Sequence, residues 1–580
     1  MALFRRTGRS NWRLKLYTLA LVFIFLSVLL VRAVSEGLAA QRSLVNRLPR
    51  SIPNTDVNPY GANFFLHREV EPWKRDKTLQ MAAEAGIGWV KQQFPWEEIE
   101  PQRKGEFLEP TTKASSWAKY DEIVAACENY GLQIVARLDR PPAWTRQDNS
   151  YPERPPDNFE DYGDFVYVFV KHYQGRIKYI QIWNEPNIFP EWGNRPVDPA
   201  QYVELLEIAY RRAKEADPNI YVLCAPLAMT LGQEHPEPGK WIAMSDLAFL
   251  EEMYKAGARE YFDIYSANAF GMGRPPEDPP DPNVLNFQRV LLQRKIMERY
   301  GDGDKAVWFD EYGWNAAPES FPAESLIWQR VSEREQAEYT VRGIERARRE
   351  WSWAGVFMIW YARQVGNIST DRADYYFRMI DVDFTPRPLY LAVKGAALKQ
   401  EVAGLGLYQE TNPAVKPQGQ WRTVIEDSAL GRAFLRSDIE GDSISFTFSG
   451  TALDLITQRS GGAGRLLVSL DGRPVPGLKT DGQGQSYVDL YSPFTQSQAR
   501  VSLVRGADPG EHTLRLTIAK DRHPEATGSE CILDAFEVVL AKGPTFPITL
   551  VVALVVALAL DGWLLWRTWW RVRWLVRGAR

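Results

Sequence analysis

The sequence predicts an α/β chain: a (β/α)8 barrel, then a β-sandwich of jelly-roll type, the pair flanked by N- and C-terminal transmembrane helices. Three observations predict it. Apolar, strand-like runs alternate with amphipathic helical stretches eight times over roughly 340 residues, the ordinary span of such a barrel. Beyond Trp421 the hydrophobic period changes to two. Long apolar runs bounded by basic residues stand near both ends.

The first run, Leu16 to Val31, is broken only by Thr18 and Ser27 and is preceded by Arg5, Arg6, Arg9, Arg13 and Lys15. We read residues 1–34 as an uncleaved anchor, with Ala33-Val34-Ser35 as a cleavage site if it is instead a signal segment. A polar linker, 35–57, follows. Within 58–400 the strand candidates are Gly61–Leu66, Ile87–Phe94, Leu132–Leu138, Ile177–Trp183, Tyr221–Leu227, Phe262–Phe270, Ala306–Phe309 and Gly355–Trp360. Helical stretches such as Thr78–Ala85, Tyr120–Tyr130, Phe159–Tyr173, Ala200–Ala216 and Ser332–Arg349 fall between them. Gly86, Gly131 and Asp217-Pro218-Asn219 punctuate the units. A doubly wound sheet would also alternate, but no Gly-x-Gly-x-x-Gly follows the first strand.

Two of these strands end alike. Ile180-Gln181-Ile182-Trp183-Asn184-Glu185-Pro186-Asn187 and Ala306-Val307-Trp308-Phe309-Asp310-Glu311-Tyr312-Gly313-Trp314 each run apolar and then present a carboxylate. Strands 4 and 7 of a barrel place such tips across one mouth. A glycosidase needs one carboxyl group to protonate the leaving oxygen and one carboxylate to attack the sugar. Asn184 could instead merely cap a helix whose first turn holds Glu185 and Pro186, but capping leaves Glu311 unexplained.

Trp183-Asn184-Glu185-Pro186 and Phe309-Asp310-Glu311-Tyr312-Gly313 resemble the acid/base and nucleophile strands of the retaining glycosidases with a (β/α)8 barrel, clan A, and within it family 39. Trp89-Val90-Lys91 with Phe94-Pro95-Trp96, Arg137-Leu138-Asp139-Arg140-Pro141-Pro142-Ala143-Trp144, and Met379-Ile380-Asp381 with Thr385-Pro386-Arg387 extend the resemblance in order over about residues 58–400. The resemblance implies that Glu185 is the general acid and then base, that Glu311 is the nucleophile, and that Asn184 binds the sugar's 2-hydroxyl. It also implies carboxyl groups roughly 5–5.5 Å apart and retained anomeric configuration. Trp360, at the end of strand 8, is a candidate sugar platform, with Trp96 and Trp144 after it. Lys91 could reach a substrate hydroxyl or hold Glu311 electrostatically. The chain departs from the family pattern at Asn268, where histidine is common, and at Phe270, where a tyrosine usually hydrogen-bonds the nucleophile. Either Asn268 or Lys91 is then expected to orient Glu311, or the enzyme is expected to be slower than its relatives. Lys91 and Gln93 likewise stand where arginine and an acidic residue are common.

After a linker, 401–420, residues 421–543 read as the sandwich. Ile444, Phe446 and Phe448 alternate with polar residues, and Leu466–Leu470 meets an Asp471-Gly472 hairpin turn. This stretch resembles the galactose-binding-like jelly rolls attached to glycosidases, and it is either a sugar-binding module or a spacer. Residues 544–580 hold a second span, Ile548 to Trp566, whose Trp563, Trp566, Trp569 and Trp570 suit an interfacial belt. Arg567, Arg571, Arg573, Arg577 and Arg580 suit a cytoplasmic tail.

The totals limit the alternatives. The formal charge of −4 becomes roughly −13 once five basic residues at each end and Asp561 are set aside, so no basic stripe offers itself to nucleic acid. Cys127, Cys224 and Cys531 are far apart and the five histidines are unclustered, so neither a metal nor another cofactor is expected. The expected protein is a two-pass membrane glycosidase with both termini cytoplasmic and its barrel on the outer face. Its partners are a poly- or oligosaccharide, the lipid bilayer and, by location, a polysaccharide exporter. A glycan-binding surface protein on the same barrel, or a transglycosylase, are the rival expectations.

Overall fold

The computed structural model describes residues 11–45, 52–234, 241–366, 369–399, 401–508, 510–539 and 548–577. Arg5, Arg6, Arg9 and Arg580 of the basic flanks, residues 46–51 of the linker and the expected sandwich end at 543 lie outside them.

Eight parallel strands form the barrel: β1 Tyr60–Phe64, β2 Trp89–Pro95, β3 Gln133–Asp139, β4 Tyr179–Ile182, β5 Tyr221–Leu223, β6 Tyr265–Phe270, β7 Val307–Gly313 and β8 Ala354–Ile359. They pair in the order β5-β4-β3-β2-β1-β8-β7-β6, and a parallel bridge between Leu223 and Ile264 closes the ring. Period-two alternation sorts their side chains. Trp89, Val135, Tyr179, Leu223, Ile264, Trp308, Val356 and Met358 plug the lower interior, while Val90, Ala136, Ile180 and Phe309 face the surrounding helices. Polar side chains occupy the same inward face above the plug, beginning with Lys91, Gln181 and Ser266.

The helices start where side chains satisfy the first free N–H groups. Asn158 accepts from the Glu160 N–H, Asp198 accepts from Ala200 and Gln201, and Ser332 forms a reciprocal capping box with Glu335. Two strand expectations change. The fifth strand stops at Leu223, not Leu227, because Pro226 lacks the N–H a ladder needs. The seventh continues to Gly313, not Phe309, so Glu311 lies within the strand.

A buried ion pair ties two outer helices together. Asp246, first residue of the helix Asp246–Lys255, receives the Arg289 guanidinium at 2.9 and 3.0 Å and the Gln293 amide at 2.8 Å. Arg289 also donates to the Pro282 carbonyl at 2.8 Å. Arg289→Ala leaves Asp246 buried and uncompensated, and an unfolding free energy lower by about 3–5 kcal/mol is expected from denaturant melts.

The sandwich begins earlier than its composition suggests. Gly406–Gln409 pairs with Ala535–Val539, and Val415–Gln418 pairs with Ser443–Ser449, so the expected linker contributes two strands to the sandwich. Pro413 and Pro417 mimic a linker, but Pro417 sits on an edge strand, where a missing N–H costs nothing. Asp471 and Gly472 both adopt positive φ in the expected hairpin. Phe446, Phe448, Leu455, Leu514 and Phe536 fill the core between the sheets. The domain docks on the base of the barrel. Lys178 donates to the Gly431 carbonyl at 2.6 Å, Arg432 to the Asn219 carbonyl at 2.7 Å, and Asn412 to Asp56 at 2.6 Å. All three barrel residues precede their strands, so the sandwich lies opposite the strands' carboxyl ends.

The helices Asn11–Val45 and Ile548–Arg577 include apolar stretches, Trp12–Ser35 and Ile548–Trp574, long enough to cross a membrane. They pack against each other, Gly562 facing Phe23. The first helix runs eleven residues into the expected linker, to Val45.

Candidate active site

The carboxyl ends of β1, β2, β3 and β8 and the loops beyond them enclose a cleft of about 480 Å³. Asn63, Lys91, Gln93, Arg137, Glu191 and Trp360 line it. Glu185 and Glu311 are not part of that wall. They stand just beyond it, against Lys91, Arg137 and Glu191.

Glu311 owes its position to a β-bulge. Ala267 and Asn268, adjacent on β6, face Phe309 and Glu311 on β7, and the pairing with β8 shifts over the same stretch. Asp310 is the extra residue. In a regular strand Asp310 and Glu311 would point to opposite faces; the bulge lets both approach one cation. The Lys91 ammonium pairs directly with Asp310 and lies 3.8 Å from Glu311. The Asn63 amide donates to the Asp310 carbonyl at 3.0 Å, occupying a backbone group that the bulge takes out of the ladder.

Glu185 follows β4 on a strained turn. Trp183 and Glu185 both have positive φ, 71° and 39°, a region that costs a residue with a side chain. Three anchors hold the turn. The Glu185 N–H donates to the Pro226 carbonyl at 3.1 Å, the Trp183 indole N–H to the Glu191 carbonyl at 3.1 Å, and the Asn187 amide to the Ala228 carbonyl at 2.9 Å. No helix starts here, which removes the capping account of Asn184.

Asn268 links the two carboxyl groups. It lies opposite Glu311 in the β6–β7 ladder, and its amide donates to Glu185 Oε1 at 2.6 Å. The sequence assigned it, or Lys91, to orienting Glu311. The structure gives the Asn268 hydrogen bond to Glu185 and leaves Lys91 as the cation beside Glu311.

The electrostatics of the pair are unequal. Burial raises the pKa of Glu185 well above the ordinary range, and repulsion from Glu311 and Glu191 adds to it; Arg137 and the Asn268 hydrogen bond oppose. Burial also raises Glu311, but Lys91 opposes it most, Asp310 adds to it and Arg137 opposes further. When the two share one proton, it rests on Glu185, and Glu311 is the ionised member. Glu191 is a third carboxyl group here, pushed up to about 7 by burial against the pull of Arg137. Arg137 itself is held by Asp139 at 2.5 Å, and the Gln93 amide donates to Asp139 at 2.8 Å.

Among the other expected sugar contacts, Trp360 is half-buried, lines the cleft and meets the edge of Phe65 at 5.6 Å. Asn184 is buried beside Glu191, and its Oδ1 has no hydrogen-bond partner among the described residues. Trp96 does not serve. It is 0% exposed, stacks on Phe165, and donates its indole N–H to Glu100 at 2.6 Å. Trp144 packs edge-on against Trp96, donates to the Glu100 carbonyl at 2.9 Å, and is absent from the cleft wall. Trp96 is a packing residue, and Trp144 is half-buried against it, outside the cleft wall.

Sequence reasoning assigned no role to Asp310, Arg137, Asn63 or Glu191. Two carboxylates in succession inside an apolar strand, Asp310-Glu311, were a usable sign of a bulge. Arg137 and Asp139, two apart on one strand face, were a usable sign of a paired inward charge. Glu191 carried no local signal, because its place depends on a loop folding back over Trp183.

No family model matches the sequence, and no curated protein matches it. Similar solved structures include a family 39 glycoside hydrolase from the gut symbiont Bacteroides cellulosilyticus WH2, at 19% identity over 80% of this chain and 82% of that one, TM-score 0.43. A monomeric beta-xylosidase from Caulobacter crescentus CB15 matches at 14% identity over 81% and 98%, TM-score 0.43. The GH39 enzyme from Xanthomonas axonopodis pv. citri matches at 13% identity over 81% and 95%, TM-score 0.44.

Proposed function

We propose that the chain is a membrane-anchored retaining glycoside hydrolase whose barrel faces outward and cleaves a poly- or oligosaccharide. The observation that carries this reading is the unequal carboxyl pair. Glu185 is raised well above the ordinary carboxylate range by burial and by repulsion from Glu311 and Glu191, which favours its protonated form, whereas Glu311 lies 3.8 Å from the Lys91 ammonium, which opposes its own rise and favours its carboxylate. Double displacement needs that division. The Glu311 carboxylate attacks the anomeric carbon, the bond from that carbon to the leaving oxygen breaks, and Glu185 gives its proton to that oxygen. Forming the glycosyl–Glu311 ester removes a negative charge from beside Glu185 and lowers its pKa. Glu185, now ionised, takes a proton from water while the water oxygen displaces Glu311. Asn184, with its unpartnered buried oxygen, and Trp360, on the cleft wall, are the expected sugar contacts.

The two apolar helices and their basic flanks support a two-pass anchor with the barrel outside, beside polymer that crosses or coats the membrane. Phe270 favours a second reading, a glycan-binding barrel that cleaves slowly or not at all, since no hydroxyl from that position can reach Glu311.

One experiment decides between them. The full chain in detergent is treated with a panel of fluorinated glycosides that trap a covalent intermediate, then digested for peptide mass spectrometry. A glycosyl adduct on the peptide containing Glu311, absent from Glu311→Gln, is expected. Glycan binding without an adduct from any sugar would hand the case to the binding protein.

The pH profile offers a separate check. Glu191 is ionised above about 7 and raises the pKa of Glu185. Glu191→Gln removes that charge, so the alkaline limb of the rate profile moves to lower pH, by up to about one unit. An unmoved limb would deny Glu191 this influence.

A further inference from the structure

One wall of the cleft carries basic and donor groups that the proposed cleavage chemistry does not use. The turn Leu66–Arg68, directly after β1, brings His67 and Arg68 to that wall beside Phe65 and Trp360. Both side chains are fixed. The Arg68 guanidinium lies over the Phe65 ring, 5.2 Å from its centroid, and that ring meets Trp360 on another side. His67 is 7% exposed and its Nδ1 is 2.7 Å from the Gln92 amide nitrogen.

Gln92 determines which imidazole nitrogen carries the proton. Its Oε1 accepts the Leu66 N–H at 3.0 Å, and its Nε2 donates to the Gln93 carbonyl at 2.6 Å. The amide cannot flip without losing both bonds, so a donor faces His67 and Nδ1 must accept. The proton therefore sits on Nε2. Burial, with Arg68, Lys119, Arg137 and Arg140 nearby, pushes the histidine down to about 3, so the ring stays neutral and is a fixed N–H donor.

Arg68 differs from the other basic residues of the cleft. Lys91 pairs with Asp310, Arg137 with Asp139, Arg140 with Glu97 and Glu153, and Arg372 with Asp374. Among the described residues Arg68 makes no ion pair. Its pKa is lowered by burial and by repulsion from Arg137 and Arg140, and the carboxylates that attract it, Glu98 and Asp139, are already engaged by Lys119 and Arg137. A guanidinium kept among like charges in a sugar cleft gains most from an anion brought by the ligand.

We propose that His67 and Arg68 form an anion subsite next to the Trp360 platform, so that the glycan held in this cleft carries an acidic group, a uronate carboxylate or a sulfate ester. This subsite rests on the glycosidase reading for its place along a substrate, but its binding function is separable from cleavage. A ring on Trp360 would present its exocyclic acidic group toward the guanidinium fork, and the His67 Nε2–H would take a second oxygen.

The test uses the full chain in detergent, carrying Glu311→Gln so that nothing is turned over. Affinities are measured for a panel of uronate oligosaccharides, each with its carboxyl-reduced neutral form, and for sulfated dextran with dextran. At least one charged probe is expected to bind about tenfold or more tighter than its neutral partner, with the preference shrinking as salt rises. Arg68→Ala, with its unfolding midpoint compared with that of the parent chain as the control for folding, should erase the preference while sparing the neutral form. His67→Phe should reduce it. The uronate and sulfate pairs distinguish the two acidic groups. No charge preference in any pair, or a preference that survives Arg68→Ala, overturns the proposal. Turnover is read on the same panel with Glu311 intact. Charge-dependent binding without cleavage leaves the subsite standing and sinks the glycosidase; cleavage of the charged and neutral members of each pair at equal rates, with Arg68→Ala altering neither, does the reverse.

Discussion

Glu311→Gly is expected to lower the rate of glycoside cleavage on the order of 10⁵-fold, the scale seen when a covalent nucleophile is removed from an otherwise intact site. The expected loss is specific to one of two neighbouring carboxylates. Asp310 enters through the bulge and pairs with Lys91, while Glu311 stands 3.8 Å from the same ammonium. A nucleophile must approach the anomeric carbon with a free lone pair, and a carboxylate already engaged by an ammonium is poorly placed for that. Asp310→Asn should therefore cost much less, acting by releasing Lys91 to swing fully onto Glu311 and lower its nucleophilicity. Azide supplied to Glu311→Gly can fill the vacated space and attack in its place, giving a glycosyl azide of inverted configuration. Rescue by azide in Asp310→Gly but not in Glu311→Gly would reverse the assignment. If neither variant loses activity, the carboxyl pair is not the reaction centre.

The same bulge shows what the sequence could and could not convey. The eight-unit alternation, the apolar plug and the outward face of each strand follow from hydrophobic period alone, because burial imposes it residue by residue. Glu185 and Glu311 were readable for the same reason: each is a carboxylate where an apolar strand should continue. Their environment was not. Whether Lys91 meets Asp310 or Glu311 depends on one inserted residue in β7, and hydrophobic period cannot register a single insertion near a strand end. Trp96 shows a different limit. An aromatic residue beyond a barrel strand serves equally as a sugar platform or as packing, and the direction of the next loop decides. Residues 401–420 read as a linker because prolines dominate the local signal, while the partners of the strands within them lie up to about 130 positions away in the chain. Glu191 shows the same limit within the site, since only the folded loop brings it to Arg137 and Asn184.

Glu185→Gln is expected to leave binding intact and to lower the cleavage of glycosides with poor leaving groups by about 10²–10⁴-fold, the usual worth of a positioned acid. The loss should depend on the leaving group. An alkoxide cannot depart from the anomeric carbon without the Glu185 proton, whereas fluoride or a dinitrophenolate can, so the first step on those substrates should proceed almost undisturbed. The second step still needs a base for water, and the glycosyl–Glu311 ester should accumulate as a burst followed by slow turnover. The pH profile adds a check of sign. The raised pKa of Glu185 places the alkaline limb above the ordinary carboxylate range: activity is present while Glu185 keeps its proton and is lost as pH rises through its folded value. The acid limb belongs to Glu311, which must be ionised to attack and is also raised by burial, with Lys91 opposing. In Glu185→Gln the alkaline limb should disappear and the acid limb should stay close to its place. Glu311 ionises beside an uncharged side chain at position 185 in both proteins, protonated Glu185 or its amide, so its titration changes little. An alkaline limb that persists unchanged in this variant would assign the acid to another residue, and Glu191, already pushed up to about 7 beside Arg137, would be the first to examine.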